Sequence, residues 1–96
     1  MTLAEFNATL SDTHAPRVAL LLQALWHDAR GDWNEAHRLA QDVETSDGAW
    51  VHAYLHRKEG DAGNAAYWYE RARQPAATDA LDAEWQRIAA ALLTRA

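Results

Sequence analysis

The sequence predicts an all-α fold, in which two tandem antiparallel helical hairpins follow a short N-terminal helix and precede a C-terminal capping helix. Three observations predict it. Apolar residues recur at spacings of three, four and seven along the chain, the signature of amphipathic helices. The pair Gly-Asp stands at Gly31-Asp32 and again at Gly60-Asp61, each time as a helix stop followed at once by a helix start. Hydrophobic residues make up 49% of the chain, alanine is abundant and there are only two prolines, a composition that suits packed helices better than sheets. With 96 residues the chain is a single domain of small core. Folding at this size removes only about 60 to 65% of the unfolded surface from water, so each large apolar side chain matters.

Thr2 and Glu5 have the spacing of a capping box, and Leu3, Phe6 and Leu10 then line one side of a helix over about 3–10. The polar run Ser11 to His14 breaks it. Pro16 suits the first position of the next helix, where a missing N–H costs nothing. Val18, Leu22, Leu25 and Ala29 form one stripe of that second helix, and Leu20 and Ala24 carry apolar surface to its other side. Gly31 ends it and Asp32 caps the third helix, whose inner stripe is Trp33, Ala36, Ala40 and Val43. The first hairpin therefore spans about 17–44. Ser46 or Asp47 opens a fourth helix that runs to about Glu59, and after the second Gly-Asp turn a fifth carries Ala65, Trp68, Tyr69 and Ala72 inward until Pro75. This second hairpin covers about 48–74. With Thr78 as cap, Leu81, Trp85, Ile88 and Leu92 fall on one side of a last helix over about 79–95, as a terminal cap requires.

Superposing the two Gly-Asp turns, 29 residues apart, brings His27 onto His56, Ala24 onto Ala53, Ala36 onto Ala65 and Val43 onto Ala72. Small residues on both sides of such a turn, as in GDWNEA and GDAGNAAYWYERA, resemble the tetratricopeptide repeat. The resemblance covers about residues 17–75, with a period shorter than the 34 residues of that family. It implies a scaffold that holds a peptide in a groove lined by the first helix of each hairpin. On the second hairpin the groove residues would be Trp50, Tyr54, Arg57 and Lys58. The string HAYLHRKEGDAGNAAYWY also resembles one found in short bacterial proteins, which implies no activity.

A net charge of −5 argues against a nucleic-acid binder, which needs a surplus of Lys and Arg against phosphates. The absence of cysteine excludes disulfides, thiolate metal sites and thiol nucleophiles, and suits a reducing interior. No basic region followed by an apolar run stands near Met1, and the longest apolar stretch, Val18 to Leu22, is far too short to span a bilayer. The expected setting is therefore cytoplasmic, with no membrane partner.

Trp50, Tyr54 and Arg57 fall at i, i+4 and i+7, with Lys58 at their border. An aromatic pair beside a guanidinium fork suits an acidic protein or peptide partner, or a second copy of the chain. His52, His56 and Glu59 share another face, within about 40° on a helical wheel. The first expectation for them is structural: interior histidines hydrogen-bonded to Tyr69, Tyr67 or main-chain carbonyls, with no cofactor. The alternative makes His52, His56 and Glu59 metal ligands or an acid and base, joined by His27. The Glu-after-His arrangement of zinc peptidases is missing, since Ala53 follows His52. No nucleophile elbow or phosphate-cradling glycine loop occurs, so any catalysis falls to these histidines. The third alternative is a structural subunit of a larger assembly.

Overall fold

The computed structural model describes residues 1–95 and is all-helical, with no strand among them. Its helices are α1 (Leu3–Ala8), α2 (Leu20–Ala29), α3 (Trp33–Gln41), α4 (Ser46–Lys58), α5 (Ala62–Ala72) and α6 (Leu81–Arg95), with a 3₁₀ turn, Thr9–Ser11, closing α1. None is long and apolar enough to cross a membrane.

The helix ends follow from local chemistry. Thr2 and Glu5 make the capping box, each side chain accepting from the other residue's backbone N–H. Asp32, Thr45 and Asp61 cap α3, α4 and α5 by accepting from the N–H three residues on. At Gly31 and Gly60 the backbone turns left-handed, with φ of 85° and 86°, which a residue without a Cβ adopts at little cost. Asp32 N–H then reaches the His27 carbonyl and Asp61 N–H the His56 carbonyl, both at 2.9 Å, closing the two helix ends in the same way.

Two expected starts are corrected. Pro16 does not open α2, which begins at Leu20: Val18 N–H bonds the Pro16 carbonyl and the Gln23 side chain bonds the Val18 carbonyl at 2.7 Å, holding 16–19 outside the helix. Thr78 does not cap α6, whose first bond runs from Glu84 N–H to the Ala80 carbonyl. Asp79 is instead held in the connection by Arg87, which grips its carboxylate, and by Arg57, which donates to its carbonyl. The α2 stripe also shifts: Leu20 and Ala29 are exposed, while Leu21, Trp26 and Asp28 are buried.

Packing centres on α4, which contacts α5, α3, α6 and α2. Every residue from Gly48 to Leu55 is buried, so this stretch of the helix is enclosed on all sides, as a central helix must be. At Gly48 there is no room for a Cβ, because the Val43 backbone lies directly against it. The last helix, α6, lies against α4, α2 and α1 and stacks Trp85 on Phe6 with ring centroids 5.8 Å apart. Three indoles bind main-chain carbonyls across the core: Trp26 to Thr9, Trp33 to Leu55 and Trp85 to Leu25. These three indoles are thereby packed, Trp26 and Trp85 fully and Trp33 in part, without leaving the one donor of each unpaired.

Candidate metal centre

The aromatic part of the face expected to bind a partner is interior. Trp50 and Tyr54 are 5% and 2% exposed, because α6 and α2 cover the side of α4 that a groove would leave open. Arg57 donates to Glu84 at 2.8 Å, and Lys58 to Asp28 at 3.0 Å. Both carboxylates are buried, and each takes a second donor: Tyr54 OH bonds Asp28, while Tyr69 OH bonds both oxygens of Glu84. Burial, followed by the adjoining Asp28 carboxylate, raises the Tyr54 phenol well above its ordinary range. For Tyr69 burial and its hydrogen bond to Glu84 do the same. The four residues Trp50, Tyr54, Arg57 and Lys58 thus belong to the core and its ion pairs. The sequence signal for this was the unbroken run Ala49 to Leu55, which has no polar side for solvent apart from His52.

The histidines lie on another face of α4, against α3 and α5. His52 and His56, one turn apart, stack with ring centroids 4.8 Å apart. His37, one turn beyond Trp33 on α3, meets them edge-on, and its Nε2 lies 2.9 Å from Nε2 of His52. Trp33, fixed by its bond to the Leu55 carbonyl, stacks on His37; Trp68 of α5 stacks on His52 at 4.1 Å. One ligand atom from each of His37, His52 and His56 can be chosen so that all three lie within 4.8 Å of one another.

The third histidine is therefore His37 of α3. His27, which the repeat alignment places opposite His56, packs edge-on against Trp26 instead. Glu59 is not a member of that trio; its carboxylate sits 2.7 Å from Nδ1 of His56. The expected bonds from the histidines to Tyr67 or Tyr69 are absent, since Tyr69 is committed to Glu84 and Tyr67 to Arg71.

The electrostatics favour the neutral form of His37 and His52. Burial, reinforced by His37 and His56, lowers His52 to about 4; burial, with His56, also lowers His37, against a smaller opposing pull from Glu59. A neutral imidazole carries the lone pair that a metal needs. Nδ1 of His56 is engaged by the Glu59 carboxylate, so Nε2 is the nitrogen left for a metal. Between His37 and His52 one Nε2 donates and the other accepts. Binding a metal requires the donor to move its proton to Nδ1, a change of tautomer without net protonation. Tetrahedral zinc with bonds of 2.0–2.1 Å sets its ligand nitrogens about 3.3 Å apart. The observed 2.9 Å pair is within a small side-chain adjustment of that spacing.

No protein-family model, curated protein or solved structure matches the chain.

Proposed function

We propose that this protein binds one divalent first-row transition-metal ion, zinc in the first instance, through His37, His52 and His56. The observation that carries the reading is the convergence of three imidazoles from two helices, with ligand atoms within 4.8 Å of one another. Nitrogen ligands alone suit zinc, copper or nickel better than magnesium or calcium, which prefer oxygen. Glu59 behind His56 supplies the outer hydrogen bond that orients a ligating imidazole and raises its basicity. Three protein ligands leave a fourth position for water or a small ligand, the arrangement of zinc sites that do chemistry.

Support also comes from what the rest of α4 does. The interaction-module reading rested on Trp50, Tyr54, Arg57 and Lys58, and those side chains are enclosed or ion-paired. The helical-repeat likeness rests on the two matching Gly-Asp turns and adds nothing to the choice of ligand.

Titration of the metal-stripped full chain with zinc and with cobalt(II) tests the proposal. We expect one equivalent to bind, with the visible absorption of four-coordinate cobalt. His37→Ala should abolish it, and Glu59→Gln should weaken it by roughly 10 to 100-fold while leaving the helical signal unchanged. Binding that persists in the His37→Ala/His52→Ala double variant, or no stoichiometric binding to the parent chain, would sink the reading.

A further inference from the structure

A cleft of about 720 Å³ runs along the seam where the end of α3, the start of α4 and the end of α5 meet. Its volume lies in the range typical of small-molecule sites. Ala40, Val43, Ala49 and Trp68 supply apolar lining residues, and Arg71 and Arg73 line it as well. Both arginines are exposed, and among the described residues neither forms an ion pair. Arg38, Arg57, Lys58, Arg87 and Arg95 all do, while Arg17 and Arg30 do not. Glu44 and Glu70 line the same cleft without ion-pairing to Arg71 or Arg73, so the guanidinium N–H donors stay open to a ligand carboxylate.

The two are held in different ways. The Arg71 guanidinium lies over two rings, 5.5 Å from the Tyr67 centroid and 5.2 Å from that of Trp68, and donates to Tyr67 OH at 3.2 Å. Its fork is thereby oriented at the cleft with donors to spare. Arg73 is held by its backbone. Helices α2, α4 and α5 end on the same pair of hydrogen bonds, the last through Gln74 N–H to Tyr69 and Arg73 N–H to Glu70. At the first two ends the left-handed residue is glycine; at the third it is Arg73, with φ of 58°. That conformation is disfavoured for any residue with a Cβ, and such outliers gather where a side chain has a task.

We infer that the cleft binds a small organic monocarboxylate, its apolar part on Trp68 and Val43 and its carboxylate held by Arg71 and Arg73. Glu44 and Glu70 also line the cleft and balance the guanidinium charge, so a polyanion gains little there. A single carboxylate still gains paired, directional hydrogen bonds from an arginine fork. His52 is shared between this cleft and the metal centre, but the inference stands without the metal and is tested without it.

The test is an NMR titration of the ¹⁵N-labelled full chain in EDTA, at constant ionic strength, with 4-methylpentanoate, its amide and inorganic phosphate. Only the carboxylate should shift the Trp68 indole and the Arg71 and Arg73 side-chain N–H signals saturably. Arg71→Gln should weaken it about tenfold or more, the scale of a lost charged hydrogen bond. Arg73→Gly should weaken it equally while raising the thermal midpoint, because glycine relieves the left-handed position. Equal shifts from the amide or from phosphate, no saturable shift with the carboxylate, or undiminished binding by Arg73→Gly would each overturn the inference. Zinc stoichiometry measured on Arg73→Gly is expected to stay at one, which separates failure here from failure of the metal reading.

Discussion

Two faces of α4 carry ionisable side chains, and the fold completes them differently. On one, Tyr54, Arg57 and Lys58 meet the fixed charges of Asp28 and Glu84, carboxylates that are 2% and 0% exposed. On the other, His52 meets an imidazole and an indole, and His56 meets imidazoles and the half-exposed Glu59. Buried charge is tolerable on the first face because each carboxylate has several donors, and nothing is left over for a ligand. On the second face burial lowers His37 and His52, which keeps available the lone pairs that metals use.

The largest effect expected from breaking this contrast is at the charged face. Arg57→Ala leaves the Glu84 carboxylate buried with only Tyr69 to bond it, and should cost about 3–5 kcal/mol in urea unfolding. A loss under about 1 kcal/mol, the size of an exposed ion pair, would mean that the two faces do not differ in kind. Asp28→Asn comes next, at roughly 1–3 kcal/mol, because the Lys58 side chain is partly exposed and water can replace its partner. If it equals Arg57→Ala, the exposure of the cation does not matter and the network acts as one unit.

The histidine face should show the smallest effect at neutral pH and a distinct pH signature. His52 titrates near 4 in the folded chain and near the ordinary 6.5 when unfolded, so between those values the unfolded state binds more protons. Stability of the metal-free protein should therefore fall as pH drops from about 6.5 to about 4, with His37 contributing in the same direction. His52→Phe should flatten that part of the profile. A slope identical in parent and variant would assign the pH dependence elsewhere.

Each element of the fold that depends on near neighbours in the chain was legible. The capping box at Thr2 and Glu5, the two glycine turns and the six helices all follow from contacts within a few residues, and all are present. Pro16 and Thr78 do not start helices because another bond outcompetes the local preference: Gln23 on Val18, five residues away, and Arg57 on Asp79, from across the fold.

The candidate site divides along the same line. By itself the sequence determined that His52 and His56 share a face, since four residues are one helical turn. It could place Trp50, Tyr54 and Arg57 on a stripe but not say what stands opposite. Tertiary structure alone decided that α6 and α2 cover that stripe and that His37 completes the trio. Helical periodicity sets the angle of a side chain about its own axis. The residue it meets depends on which helices pack against that axis and at what height, which is settled by burying the largest apolar surface over the whole chain.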